Sequence, residues 1–448
     1  MLDTLKDDDI PGTPHEQKRA DGSHVRSVIT CDLEGRIETF NEGAQQIFGY
    51  TPGEVVGKKR VSLFSPGLVV LGHVQNWLKQ ARDKGEIVTR TVFVGKDGKH
   101  FPARIRITPT FRRNNGVKEH IGYCGLTEPL SDVSTEAAMP SINFFTRVFA
   151  WLVILRAPFL TATIMPILIG AVLVNWNQAV DAFPWVLLLS ALIGACALHI
   201  SANLFNDYFD WRSGADPANT DYIVPYSGGS RAIELRLITE QGTLRLAVVS
   251  LILALLAATP IVLARGQAVF AFGLAGAFLA YFYTAPPLRL SARRGLGELS
   301  VGLAFGPLLV AGTVFGLSGT VDTSHFIVGI PIGLLTVAIL WVNEFPDIES
   351  DAIAGKNTLV VTLGREAARW GYILLVLFAY LSVALLVITG LLTVGALAVF
   401  LSLPLAFSAT RNVFVHYHDR ELIDACSGTI RLHLMVSLLL VAGILFSS

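Results

Sequence analysis

Cysteine is scarce in this 448-residue chain: Cys31, Cys124, Cys196 and Cys426 are scattered, with no CxxC pair among them. That spacing excludes a disulfide framework and a thiolate zinc site. Net charge is also lacking, with 35 Lys and Arg against 35 Asp and Glu, so no basic excess marks nucleic acid as a partner. The first 25 residues are charged and have no apolar core; they lack the central run of a secretory signal and read as a disordered leader.

What the chain has in quantity is apolar sequence, unevenly spread. From about residue 149 to 446 it is a succession of apolar runs, many near the roughly 20 residues a helix needs to cross a bilayer. Nine spans are expected, at about 149–173, 183–205, 245–264, 268–284, 296–316, 325–345, 370–390, 392–410 and 429–446. Loops after even-numbered spans hold Arg212, Arg231, Arg236, Arg289, Arg293, Arg294, Lys356, Arg365, Arg369, Arg411 and Arg420, whereas loops after odd-numbered spans hold only Arg265. The positive-inside rule therefore puts the even loops, and the polar N-terminal third, on the cytoplasmic side of a plasma or inner membrane.

The N-terminal third reads as an α/β domain over residues 26–128, followed by a linker at 129–144 and the membrane part at 145–448. Two strands flank the Glu34-Gly35 turn, short helices follow at 41–50 and 51–57, a longer one covers 69–82, and three strands close the domain. Asp32-Leu-Glu-Gly35, Asn41-Glu-Gly-Ala44, Phe48-Gly-Tyr50 and Lys96-Asp-Gly98, in that order of elements, resemble a PAS domain. The resemblance implies sensing, homodimerisation or docking and names no ligand. The Asn-Cys-Arg-Phe-Leu signature of flavin-adduct sensors is missing. His73 on the long helix reads as a surface or core residue before it reads as a haem ligand.

Two acidic clusters end the second and sixth spans: Asn203, Asn206, Asp207, Asp210 and Asp216, and Asn343, Glu344, Asp347, Glu349 and Asp351. Carboxylates at the end of a spanning helix are costly to insert and usually functional. Residues three and four apart share a helix face, so Asn203, Asp207 and Asp210 form one stripe and Asn343, Asp347 and Asp351 another. Hard oxygen ligands without clustered His or Cys suit Mg²⁺, which is commonly held by one or two carboxylates together with substrate phosphates. A diphosphate site in a membrane bundle points to a lipid diphosphate, with Arg156, Arg231, Arg289 and Lys356 available as clamps and the Ser227-Gly-Gly-Ser230 backbone as further donors.

Asn206-Asp-Tyr-Phe-Asp210, Ser227-Gly-Gly-Ser-Arg231, Tyr283-Thr-Ala-Pro-Pro-Leu-Arg289, Gly295-Leu-Gly-Glu298 and Asn343-Glu-Phe-Pro-Asp347 with Gly355-Lys-Asn-Thr-Leu359 together resemble the UbiA-type intramembrane aromatic prenyltransferases, nearest the MenA-like branch. That resemblance implies an all-α bundle of about nine helices, Mg²⁺ dependence, a polyprenyl diphosphate donor and an aromatic quinone precursor, 1,4-dihydroxy-2-naphthoate, as acceptor. It further implies that Asn206, Asp207, Asp210 and Asp216 hold one Mg²⁺ and Asn343, Asp347 and Asp351 the other. Asn203, Ser230, Arg231, Arg156, Arg289 and Lys356 would bind substrate, and Tyr283 would face the allylic cation. Glu344 and Pro346 stand where the naphthoate enzymes tend to carry Asn and Arg. The alternative function is a PAS-gated sensor or transporter that uses the acidic clusters for an ion or a lipid diphosphate. His199 reads as a packed polar residue and His416-Tyr-His418 as a solvated loop.

Overall fold

Strand β1 (Ser27–Asp32) alternates buried and half-buried residues, as period-two patterning requires of a strand with one face on a core. The computed structural model describes residues 26–65, 73–114, 117–140, 144–177, 183–218, 226–234, 237–419 and 421–446. The chain divides into two units, Met1–Ser65 with Asn76–Ser141, and Ile142–Ser448 with Pro66–Gln75. The leader and part of the long helix expected at 69–82 lie outside the described residues, as do Arg236 and Arg420.

In the first unit, Asp32 Oδ1 accepts hydrogen bonds from the Glu34 and Arg36 amides, which turns the chain into β2 (Ile37–Phe40). Asn41 then caps α1 (Glu42–Phe48) by accepting from the Ala44 amide, and a capping box of Thr51 and Glu54 starts α2 (Pro52–Val55). After α3 (His73–Lys84) come β3 (Ile87–Val94), β4 (His100–Asn114) and β5 (Val117–Pro129). The five strands form one antiparallel sheet in the order β2-β1-β5-β4-β3. Its core is aromatic: Phe48 sits against Phe64, Phe93 and Phe101 with centroids 4.2–5.6 Å apart. The linker expected from residue 129 starts one residue later, because Pro129 still belongs to β5 and pairs with Ala103.

The second unit is helical. After α4 (Phe144–Ile154), eight helices among the described residues are long and apolar enough to cross a membrane: α5 (Ala157–Val174), α6 (Trp185–Ser213), α7 (Glu240–Arg265), α9 (Leu296–Ser318), α10 (Thr323–Ile353), α11 (Leu359–Ile388), α12 (Val394–His416) and α13 (Leu422–Phe446). The fourth expected span is a shorter apolar helix, α8 (Val269–Phe282), whose 14 residues rise only about 21 Å. It stops short because the Thr284-Ala-Pro-Pro-Leu288 segment that follows cannot continue an α-helix. Helix α11 begins 11 residues before the expected span: Gly364 leaves helical geometry at φ +76°, separating a first turn from the apolar stretch that periodicity detects.

Helix α10 is the centre of the bundle, with 67% of its apolar window buried, against 17% for α7. It approaches α9 closely because Gly302 and Gly306 face Gly329 and Gly333; a Cβ on Gly306 would fall 2.4 Å from the Gly329 carbonyl. On its other side Trp341 Nε1 donates to the Ala368 carbonyl of α11 at 2.8 Å. Pro346 removes an amide from α10, and the Val342 carbonyl four residues back instead takes the Cys426 thiol of α13 at 3.9 Å. The helix therefore runs on through Pro346 to Ile353, carrying the second acidic cluster with it. Leu263, Leu274, Ile388, Leu401 and Phe407 stand exposed on the outside, an apolar surface suited to lipid.

Candidate functional site

Each acidic cluster is delivered by the last turns of a long helix and turned inward by the chain that follows. Helix α6 ends at Gly214, whose φ of +82° supplies a left-handed cap, and a one-turn helix, Ala215–Ala218, then brings Asp216 back to a buried position. Helix α10 ends before Gly355 (φ +71°), and the Lys356 amide returns to the Asp351 carbonyl at 2.8 Å. Thr358 caps α11 through the Val361 amide, and buried Glu298 of α9 accepts from the Leu359 amide at 2.7 Å. That clamp fixes the segment bearing Lys356.

The clusters meet. Lys356 Nζ lies 2.7 Å from Asp210 Oδ2 on α6 and 3.6 Å from Asp351 Oδ1 on α10, so one ammonium ties the two halves together. Burial works against that ammonium, but Asp210 and Asp351 beside it outweigh the cost and hold its pKa above the ordinary lysine value. Arg156, just ahead of α5, donates to Asn206 Oδ1 at 3.1 Å and to Asp207 Oδ1 at 2.6 Å. Asn206 donates in turn to Asp210 at 3.0 Å. The segment 226–234 latches both helices through its backbone: the Gly228 amide reaches Asp347 Oδ2 at 3.1 Å and the Ser230 amide reaches Asp207 Oδ1 at 3.3 Å. A Cβ on Gly229 would sit 3.1–3.2 Å from carboxylate oxygens of Asp216 and Asp207, and its φ is +75°. Glycine is needed there on both counts.

These groups close one end of a cavity of about 490 Å³. Five carboxyl groups line it, Asp210, Asp216, Glu344, Asp347 and Asp351, against two cations, Arg156 and Lys356. With every group ionised the lining would carry an excess of three negative charges, most of which one divalent cation would offset. Burial raises the pKa of Asp216 well above the ordinary value, with Asp210 and Asp207 adding to the rise and Arg231 and Lys356 opposing it. Asp207 Oδ2 and Asn343 Oδ1 are buried and make no hydrogen bond among the described residues. Unpaired hard oxygens beside excess negative charge fit Mg²⁺. Away from this end the walls turn apolar, with Ala254, Leu255, Ala258, Phe272 and Ala277.

Among the described residues the only non-glycine positions with positive φ are Arg156 (+48°), Arg231 (+58°) and Arg289 (+43°). Strained backbone concentrates at functional sites, and here it falls on three arginines singled out from the sequence. Their places differ. Arg156 lines the cavity; Arg231 is buried behind it, donating to the Asp216 carbonyl at 2.5 Å and to Glu234 at 3.2 Å; Arg289 opens the turn Leu290–Ala292 and does not line the cavity. Ser230 likewise lies behind the wall. Asn203, Asn206, Asp210, Tyr283, Asn343, Asp347, Asp351, Lys356 and Asp216 all line it. The inward stripe of α6 is Asn203, Asn206 and Asp210, while Asp207 turns aside to Arg156 and Ser230. At 100° per residue, positions 206 and 207 lie on opposite sides of 203, and the Arg156 contact takes Asp207.

Glu344 and Glu298 were not singled out for a role in the sequence, although a carboxyl inside or at the start of an apolar run was the available signal. His199 also lines the cavity, its Nδ1 2.6 Å from Thr163 Oγ1 and its ring against Phe305. His416 lies beside Asp419 and Glu421 at the end of α12.

The model of the UbiA prenyltransferase family matches residues 163–433, and a PAS domain model matches residues 25–124. The chain belongs to the UbiA prenyltransferase family and carries an N-terminal PAS domain. It is 31% identical to the 1,4-dihydroxy-2-naphthoate octaprenyltransferase of Bacillus subtilis, over 64% of this chain and 89% of that protein. The Escherichia coli enzyme of the same name is 32% identical over 67% of this chain and 97% of its own length. The 2-carboxy-1,4-naphthoquinone phytyltransferase of Synechocystis is 28% identical over 65% and 92%.

Proposed function

We propose that this prenyltransferase moves a polyprenyl group from its diphosphate to 1,4-dihydroxy-2-naphthoate, in a reaction that depends on Mg²⁺. The observation that carries the reading is the cavity itself, acidic at one end with paired cations and apolar elsewhere. Its shape suits a ligand with a polyanionic head and a hydrocarbon tail. The three relatives support the acceptor class, since each is named for a naphthoate or naphthoquinone; their donors differ, octaprenyl in two and phytyl in one, so donor length is left to measurement.

Asn206, Asp207, Asp210 and Asp216 from the α6 side, and Asn343, Asp347 and Asp351 from α10, are the residues to hold divalent cations. When bound, such a cation draws charge from the diphosphate and eases its departure. Lys356 and Arg156 neutralise and orient diphosphate oxygens, with Ser230 and Arg231 supporting from behind, while Arg289, outside the cavity lining, has no contact with this end of it among the described residues. Asn203 orients substrate one turn deeper. The Tyr283 ring presents a π face to the allylic carbon as positive charge builds there. Apolar walls keep water from quenching that carbon before the electron-rich ring attacks. The C–O bond to diphosphate breaks and diphosphate leaves, a C–C bond to the ring forms, and the ring carbon that is attacked gives up its hydrogen as a proton or, at the carboxyl-bearing carbon, its carboxylate as CO₂, which restores the aromatic ring.

Loop charges support a cytoplasmic opening for this end of the cavity and the same side for the PAS domain, whose proposed role is to adjust activity through a small ligand or self-association. Purified full-length protein with Mg²⁺, octaprenyl diphosphate and 1,4-dihydroxy-2-naphthoate should yield prenylated naphthoquinol by mass spectrometry, and EDTA should abolish it. Donor binding without transfer to naphthoate, 4-hydroxybenzoate or homogentisate would overturn the reading. Ion flux in liposomes, lost in Asp347→Asn, would then favour the gated transporter.

A further inference from the structure

Glu344 is more than nine-tenths buried yet lines the cavity. Its carboxyl oxygen Oε2 is buried with no hydrogen-bond partner among the described residues. A buried polar atom left unpaired is costly, and a native structure keeps one where something else completes it. On helix α10, Glu344 is about 20° around the axis from Asp351 and 60° from Asp347, and roughly 10 Å and 4.5 Å deeper along it. It therefore shares the face of the acidic stripe but sits below it, toward the apolar walls.

The other polar groups at this depth narrow what can complete Glu344. Ser300 and Thr336 line the cavity, but their hydroxyls donate back to the Leu296 and Ile332 carbonyls of their own helices. Across the cavity on α6, Asn203 presents the opposite deficiency: its Nδ2, a donor, is buried without a partner. A free acceptor on one wall and a free donor on the other match a flat molecule that carries both a hydroxyl and an oxygen acceptor. A prenyl chain, which has neither, does not satisfy them, and a diphosphate has no hydroxyl to give.

We propose that Glu344 is a specificity-determining residue that accepts a hydrogen bond from a ring hydroxyl of the aromatic acceptor, with Asn203 donating to an oxygen of the same molecule. This rests on the prenyl-transfer reading above and assigns the acceptor's place beneath the diphosphate end. Binding of 1,4-dihydroxy-2-naphthoate to the full-length protein, followed by tryptophan fluorescence or calorimetry, tests it without turnover. Glu344→Gln and Glu344→Ala should weaken that binding about 10- to 100-fold, the range for leaving a buried hydroxyl without its partner. Binding of a prenyl diphosphate with Mg²⁺ should not change. The two monohydroxy-2-naphthoates complete a cycle: removal of the hydroxyl that meets Glu344 should cost the wild type a similar factor and cost Glu344→Ala almost nothing.

Unchanged naphthoate affinity in both variants would overturn the proposal. So would a shift in the Mg²⁺ concentration needed for donor binding, which would make Glu344 a metal ligand. Equal losses for every analogue in wild type and variant would mean that only packing had changed, and the proposal would fail. A wild type that binds naphthoate but never prenylates it would sink the catalytic reading alone.

Discussion

The two acidic helix ends look alike in sequence and are held in different ways. On α6, Asp207 has Arg156 at 2.6 Å and Asp210 has Lys356 at 2.7 Å, so both carboxylates already face a cation. On α10, Asp351 has that same Lys356 only at 3.6 Å, Asp347 accepts a backbone amide from Gly228, and the amide oxygen of Asn343 is unpaired. Asp207 and Asp210 on α6 thus hold their cations about 1 Å closer than Asp351 on α10 holds its own, while each half keeps an unpaired buried oxygen among the described residues, Asp207 Oδ2 and Asn343 Oδ1. On the prenyl-transfer reading, similar motifs would divide the work: α6 would position, and α10, whose cation is more distant, would gain most from an added one.

The strongest test of that difference removes charge from each half in turn. Asp347→Asn should lower kcat/KM on the order of 10³-fold, since an electrostatic group at the reacting phosphate is replaced by an amide. Asp207→Asn should cost less, roughly tenfold to a hundredfold, because Arg156 stays nearby to bind diphosphate. Steady-state kinetics at saturating Mg²⁺ measures both. Equal losses would mean that the two halves are equivalent.

Lys356→Met separates the halves physically. It strips Asp210 and Asp351 of their shared counter-ion, and breaking a buried pair typically costs about 3–5 kcal/mol. Thermal unfolding in EDTA should show the drop. Adding Mg²⁺ should recover part of it, because a cation bound by these carboxylates replaces the ammonium. A Tm as low with Mg²⁺ as without would argue that Lys356 braces the bundle and has no part in cation balance.

How much of this difference was legible in the sequence depends on scale. Fold class, the number of apolar helices to within the short α8, and the meeting of two acidic helix ends all follow from local periodicity and from loop charge. Asp207 turning aside from the inward stripe does not, since Arg156 lies 51 residues away and only tertiary packing brings it there. The burial of Arg231 behind the cavity wall is equally invisible, because a Gly-Gly-Ser-Arg run looks the same whether its arginine faces ligand or braces a carbonyl. The Gly295-Leu-Gly-Glu298 motif is legible but the task of Glu298 is not, for a related reason: capping an amide 61 residues on is a long-range act of a residue in the first turn of its own helix. Sequence spacing located the chemistry, and contacts between distant segments decided which residues touch the cavity and which hold those that do.

Arg156→Lys probes the α6 half more gently. Lysine keeps the charge, but its ammonium sits on a shorter stem than the guanidinium Nη2 that serves both Asn206 and Asp207, so both contacts lengthen. About a tenfold rise in KM for the prenyl diphosphate is expected, with kcat little changed. A loss confined to kcat would instead give Arg156 a part in the chemical step.

The smallest expected effect comes from Asp216, which Arg231 and the 226–234 segment enclose. Burial raises its pKa in the folded protein, and the nearby Asp210 and Asp207 raise it further. The unfolded chain has the ordinary, lower value, so between the two the folded state holds more protons. Stability contributed at this position is therefore fullest at acid pH and falls as pH rises through the raised value. Asp216→Asn removes that dependence. In EDTA the variant's Tm should gain on the wild type by roughly a few degrees between acid and neutral pH. With Mg²⁺ the gain should shrink, because a bound cation stabilises the ionised carboxylate. A gap that ignores both pH and Mg²⁺ would place Asp216 with the positioning residues of α6 and leave cation binding to α10.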